Sequence, residues 1–183
     1  MRPSFEEFKR IKREDIIGVE VGVHRGIHAW DLLCNLNNIK KLHLVDPYVL
    51  GGPYLGDRKK EKKEGYETLL KFKDKIQWYY EASKEIVDKF DNESVDFVYV
   101  DGDHSYDSVV QDLKLWWPKI KQDGMLSGHD FDIKDHPGVH KAVIEFACKN
   151  DFRLNINCYF PFPHRKQATY SDWWIFKCDK IAR

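Results

Sequence analysis

The sequence has few cysteines, no long apolar run, no dinucleotide-type glycine signature and no excess charge of either sign. Its four cysteines, Cys34, Cys148, Cys158 and Cys178, are scattered without a Cys-x-x-Cys pair, which argues against a zinc ribbon or a disulfide-stapled scaffold. They read as reduced thiols. Nothing approaches the roughly 20 consecutive apolar residues that cross a bilayer, so no membrane partner is expected. Thirty Lys and Arg balance thirty Asp and Glu, so a nucleic-acid partner held by bulk charge is not expected either. The first ten residues are charged where a secretion signal is apolar, which sets the expectation of a cytoplasmic protein. No repeat, low-complexity tract or linker divides the 183 residues, so residues 1–183 read as one domain.

What is present is an alternation of short apolar runs with amphipathic segments, and 42% hydrophobic residues suffice for a real core. Strands are expected at Ile16–Val21, Leu42–Val45, Ile76–Tyr80, Val95–Val100 and Met125–Ser127, the last introduced by Asp123-Gly124. Two late strands are expected at Phe152–Cys158 and Trp173–Cys178. Between them, helical stripes run through Ala29, Leu32, Leu33 and Leu36, and through Tyr66, Leu69 and Leu70 behind an Asp57 cap. Ser83 reads as the cap of a short helix carrying Ile86, Val87 and Phe90. Further stripes are Val109, Val110, Leu113, Trp116 and Trp117, ended by Pro118, and Val139, Val143, Phe146 and Ala147. Such an order implies an α/β fold, a parallel sheet covered on both faces by right-handed crossovers.

Ligands bind such sheets at the carboxyl ends of the strands, and polar groups gather at five of those ends. The first turn, Gly18-Val-Glu-Val-Gly22-Val-His-Arg-Gly26, lacks the Gly-x-Gly-x-x-Gly spacing that cradles a diphosphate. It carries Glu20 instead, and a carboxylate suits a cationic ligand; a glycine-rich turn with a surface acid is the equal alternative. Asp46 ends the second strand, where it could accept two hydrogen bonds from vicinal ribose hydroxyls or simply start a turn before Pro47. Ser83 could serve an adenine, cap its helix, or do both.

These blocks together resemble a class I S-adenosylmethionine-dependent methyltransferase over nearly the whole chain, in the small-molecule O-methyltransferase branch of macrocin-type and catechol O-methyltransferase-like enzymes. The resemblance is carried by Val19-Glu-Val-Gly-Val-His-Arg-Gly26, Leu44-Val-Asp-Pro47 and Glu81-Ala-Ser-Lys-Glu-Ile86. It continues in Val95-Asp-Phe-Val-Tyr-Val-Asp-Gly-Asp-His-Ser-Tyr106, Asp123-Gly-Met-Leu-Ser-Gly-His-Asp130 and Pro137-Gly-Val. It implies a single Rossmann-like doubly wound sheet of seven strands, mostly parallel, with an antiparallel last strand inserted next to strand five. It also implies S-adenosylmethionine as cofactor: Glu20, Gly22 and Gly26 at its methionine part, Asp46 at the ribose, Ser83 by the adenine and Asp101 below the sulfonium. Where many relatives have glycine, this chain has His24.

The implied reaction moves a methyl group to an oxygen, less readily a nitrogen, of a small hydroxylated metabolite. His104 matches the catalytic base of the catechol-type enzymes, with Asp101 beside it. Asp101 and Asp130 match the positions that hold a divalent cation in metal-dependent relatives; Phe131 stands where relatives often have a further ligand, so either Asp132 or His129 completes the set or no metal binds. Oxygen ligands suit Mg²⁺ or Ca²⁺, and histidines also admit Mn²⁺ or Zn²⁺. His136 and His140, at a helix start, read as solvated. Two other readings stand beside this one: a metal-dependent phosphoesterase built on Asp101–His104 and Gly128–Asp130, and a non-catalytic cofactor-binding module. Arg58–Lys63 reads as a solvated helix face. Val49–Tyr54 and Tyr159–Lys166 read as an acceptor pocket or a subunit contact; a reduced lid leaves room for a homodimer in which a second subunit covers the cofactor.

Overall fold

The computed structural model describes residues 4–11, 13–49, 57–159 and 170–178. In chain order the elements are α1 (Phe5–Phe8), β1 (Ile16–Val21), α2 (Ile27–Asn35), β2 (Ile39–Val45), α3 (Arg58–Leu69), β3 (Ile76–Tyr79) and α4 (Ser83–Ile86). They continue as β4 (Val95–Val100), α5 (Tyr106–Trp116), β5 (Ile120–Gly128), α6 (Pro137–Lys149), β6 (Asn155–Tyr159) and β7 (Tyr170–Phe176).

Among the described residues the strands form one seven-stranded sheet in the order β3-β2-β1-β4-β5-β7-β6. The pairs from β3 to β5 are parallel, and β7 runs antiparallel to both of its neighbours. The seven-stranded, mostly parallel sheet with an inserted antiparallel last strand is therefore as expected. Alternation along each strand feeds two cores. Phe97 and Tyr99 of β4 join Leu32, Leu33 and Leu69 on one face, whereas Val98 and Val100 join Val109, Leu113, Trp116 and Val143 on the other. Helices α1 to α3 thus cover one face and α4 to α6 the other.

Four local readings are corrected. Strand β5 begins at Ile120, before Asp123-Gly124; Asp123 sits at φ 61° as an irregularity inside the strand, not as a turn ahead of it. The late strand β6 starts at Asn155, because Phe152 leaves the sheet to pack with Ala147 and Ile175. Helix α3 is capped by Asp57 as read, its carboxylate accepting from Lys60 N at 3.1 Å, but Tyr66 and Leu70 face solvent. The buried stripe is Glu61, Gly65 and Leu69, since the helix packs on backbone: a Cβ on Gly65 would lie 2.9 Å from the carbonyl oxygen of His24. Finally, Ser83 is the first helical residue of α4 rather than its cap; Ala82 holds that place, its N–H donating to Glu85 Oε2 at 3.0 Å.

The charge run on α3 is a solvated face in Lys60 and Lys63, paired loosely with Glu64 and Glu67, while Arg58 turns inward to Glu61 at 3.0 Å. Residues 50–56 and 160–169, which carry most of the suggested acceptor pocket, lie outside the described residues. No helix among the described residues is long and apolar enough to cross a membrane.

Insertion of β7 also builds a buried polar seam. Asp172 of β7 is fully buried, accepts from the backbone N–H and hydroxyl of Ser4 and from Tyr99 OH, and lies 3.8 Å from His129 Nε2. Beside it, the N–H of Phe131 donates to Ser171 O at 3.1 Å, so the loop after β5 is strapped to the last strand.

Candidate functional site

A cavity of about 590 Å³ opens at the carboxyl ends of β1, β2 and β4, a size typical of small-molecule sites. Of the residues singled out in the sequence, Glu20, Gly22, Asp46, Ser83, Asp101 and His104 line it. Gly26 stands outside the lining; it leads into α2, where a side chain would meet Leu69.

The tips of β1 and β4 nearly touch. Gly22 takes φ 86°, and a Cβ there would lie 2.1 Å from the carbonyl oxygen of Asp101. Only glycine allows this approach, which leaves Glu20 and Asp101 on one wall. Glu20 is buried, its Oε2 3.4 Å from His28 Nδ1, and the His28 ring stacks on Tyr99 at 3.8 Å. His24 adopts a left-handed backbone (φ 52°), the conformation glycine favours. Its ring bonds to Glu61 Oε1 at 3.1 Å. Burial raises the Glu61 carboxyl, but the His24 and Arg58 hydrogen bonds outweigh it and hold the group below its ordinary value.

Asp46 organises the same loop. Its Oδ2 accepts from the N–H groups of Val23 and His24 at 3.0 and 2.9 Å, and its Oδ1 from Tyr48 at 2.9 Å. These three donors occupy three of a carboxylate's roughly four lone-pair directions, leaving about one for a ligand hydroxyl rather than two. Tyr48 closes the loop by donating to His24 O at 2.6 Å.

A cluster of histidines and carboxylates lies where β4 and β5 finish. His104 Nε2 stands 3.1 Å from Asp130 Oδ2 and 3.7 Å from Asp101 Oδ1. His129 Nδ1 lies 2.8 Å from Asp130 Oδ1, and His136 Nδ1 lies 3.7 Å from the same oxygen. Burial lowers the His104 imidazole, but the Asp101 hydrogen bond and the charges of Asp130 and Asp101 prevail and raise it above its ordinary value. Two donor groups compact enough for a cation share Asp130: Asp101–His129–Asp130 and His104–Asp130–His136. Asp132 is not among them; its Oδ1 accepts from Lys134 N and Asp135 N and so ties the turn that follows. His136, read as solvated, instead leads into α6 and meets His104 edge to face at 4.6 Å. No sequence spacing announced that contact.

At the opposite corner, Ser83 accepts from Trp116 Nε1 at 2.7 Å and hydrogen-bonds the carboxyl of Asp112. Sequence reasoning passed over Asp112, although an acid in the apolar stripe Val109, Leu113, Trp116 was the signal. Burial pushes its carboxyl up to about 6, against the Ser83 hydrogen bond, with Asp103 adding to the rise. A folded-state value above the unfolded one means that ionisation costs stability, a cost absent below about pH 4 and complete above about pH 6. Asp112→Asn is therefore expected to be more stable than wild type at pH 8 by about 2–3 kcal/mol and equal to it below about pH 4, measured by denaturant unfolding.

Comparison with known proteins adds to this geometry. A family model described as a methyltransferase domain matches residues 19–131, which holds every cavity-lining residue just named. An uncharacterised protein, R132, of Acanthamoeba polyphaga mimivirus is 28% identical over 133 residues, covering 72% of this chain; the chain spans 59% of that protein's length. The fold is similar to an rRNA methylase from Streptococcus thermophilus, with a TM-score of 0.67 at 12% identity over 100% of this chain and 98% of that one. It is also similar to an S-adenosylmethionine-dependent O-methyltransferase from Thermotoga maritima, with a TM-score of 0.62 at 15% identity over 100% and 68%.

Proposed function

Because the chain belongs to the methyltransferase-domain family, we propose that it moves a methyl group from S-adenosylmethionine to an oxygen of a small hydroxylated molecule. The observation that carries this reading is a cavity walled by Glu20, Asp46 and Asp101, carboxylates where a diphosphate-binding turn would present only amides. The acidic donor set and the volume both fit the cofactor. Asp46 has an acceptor direction for a ribose hydroxyl, buried Glu20 suits a cationic amino-acid end, and Asp101 suits a neighbouring sulfonium. A formal net charge of zero favours a small acceptor over a nucleic acid. The phosphoesterase reading gains nothing, since among the described residues the clustered donors come from the segments after β4 and β5.

In the transfer, the methyl carbon's bond to sulfur breaks as its bond to the acceptor oxygen forms, the sulfur keeping the electron pair. The chain's own contribution is alignment and removal of the acceptor's proton. His104, once it has lost the proton that Asp101 and Asp130 favour, is the group able to take it. Either donor group around Asp130, Asp101–His129–Asp130 or His104–Asp130–His136, would suit a borderline cation such as Mn²⁺ or Zn²⁺ better than Mg²⁺. Bound there, it would supply Lewis acidity at the acceptor oxygen.

Titration calorimetry with S-adenosylhomocysteine tests the cofactor reading; heatless mixing at high concentration would end it. With an acceptor found by screening hydroxylated small molecules, kcat is expected to rise with pH through a midpoint above 6.5, since a base whose pKa is raised must first deprotonate. His104→Gln should lower kcat by about 10²–10⁴-fold and remove that rising limb. A limb that survives the substitution would leave acceptor activation to a metal, and loss of turnover on exhaustive chelation would then identify it.

A further inference from the structure

The corner of the cavity between α4 and α5 holds a buried carboxylate, Asp112, beside Ser83. The buried stripe of α5 is Val109, Asp112, Leu113 and Trp116, so a carboxylate stands where the helix otherwise presents apolar side chains to the sheet. It lines the cavity together with Ser83, Lys84 and Gln111.

Hydrogen-bond direction in this corner is set by chemistry. An indole N–H can only donate, so at 2.7 Å from Trp116 Nε1 the Ser83 oxygen is an acceptor. The hydroxyl's one proton then goes to the Asp112 carboxyl, with which Ser83 is hydrogen-bonded. The corner presents the acceptor oxygens of a buried carboxylate, and a desolvated carboxylate is stabilised by any ligand that brings N–H donors to it.

Which part of a ligand arrives there follows from the rest of the cavity. Asp101 and His104 occupy the reacting end, and Asp46 holds the middle with one acceptor direction to spare. On the cofactor reading above, on which this inference rests, the heterocycle is what remains for the far corner. Adenine brings an exocyclic amine with two N–H donors; its deaminated counterpart puts a carbonyl oxygen at that position, an acceptor facing an acceptor, and its N1–H donor lies one ring atom away. We infer that Asp112, oriented through Ser83 and Trp116, recognises the exocyclic amine of the cofactor's adenine and rejects a 6-keto purine.

The test compares S-adenosylhomocysteine with S-inosylhomocysteine by titration calorimetry at pH 8, on wild type and on Asp112→Asn. Wild type is expected to bind the adenosyl compound at least about 100-fold more tightly, as sites with buried polar groups reject a mismatched partner. An asparagine amide has both a donor and an acceptor and can turn to either purine. In Asp112→Asn the ratio is therefore expected to fall below about tenfold, mostly through tighter binding of the inosyl compound. An unchanged ratio in the variant overturns the assignment of Asp112 while leaving the cofactor reading intact. Failure of wild type to bind either compound overturns both. A folded variant is assured by its melting profile, which the removal of a buried charge is expected to improve at this pH.

Discussion

Asp46→Asn is expected to weaken S-adenosylhomocysteine binding by about 100-fold, roughly 2.7 kcal/mol. The native carboxylate does two things at once. It accepts three backbone N–H groups, from Val23, His24 and Tyr48, and it lines the cavity. An amide in its place keeps one acceptor oxygen and turns an NH₂ toward N–H groups that need acceptors. Each hydrogen bond lost to a charged partner is worth about 1.5–3 kcal/mol, so loss of the Tyr48 contact on Oδ1 together with one ligand contact exceeds the expected loss, and the loop will recover part of it by rearranging. Asp46→Glu separates the two roles: the longer side chain keeps its charge but misplaces the loop, and it should bind more weakly than wild type and better than Asp46→Ala. Affinity within about twofold of wild type in Asp46→Asn would remove this residue from the ligand's surroundings.

The second large effect is on the fold itself. Gly22→Ala places a methyl group 2.1 Å from the Asp101 carbonyl oxygen and 2.6 Å from Gly102 Cα, in a backbone with φ 86°. The left-handed conformation alone costs about 1–2 kcal/mol for a residue with a Cβ. Overlap with main-chain atoms, which have no rotamer to change, adds about 1–3 kcal/mol. A chain of 183 residues loses about 2–4 °C in Tm per kcal/mol, so a drop of roughly 10 °C is expected by calorimetry. Gly102→Ala is the control. A Cβ there meets nothing closer than 3.6 Å, and Tm should barely move.

These two positions were visible in the chain before folding was considered, because glycine and a carboxylate at the ends of β-branched runs leave few interpretations. Strand β4 was legible residue for residue, since Val95–Val100 is apolar but for Asp96 and is buried along its whole length. Legibility failed where the partner of a residue is backbone or distant in sequence. The buried stripe of α3 contains Glu61 and Gly65, which carry no hydrophobic signal because they face the His24 and Tyr48 loop rather than an oily core. Asp123-Gly124 has the composition of a turn, yet pairing of Ile120 with Val95 continues the strand across it. His28 and His136 find Tyr99 and His104 only after the sheet has assembled. Asp112 was the exception. An acid at a core position of a helix is a local anomaly, readable without any knowledge of the fold.

The place of β7 in the sheet has a bearing on how the protein comes into being. Its strand is made after the other six strands of the sheet, yet it supplies Asp172 behind His129 and the Ser171 carbonyl that ties Phe131. The walls formed by β1, β2 and β4 need nothing beyond Gly128 for their own pairing. A nascent chain can thus complete the Glu20, Asp46 and Asp101 side of its cavity early, while His129 and Asp130 gain their final positions only after translation has reached the end of β7.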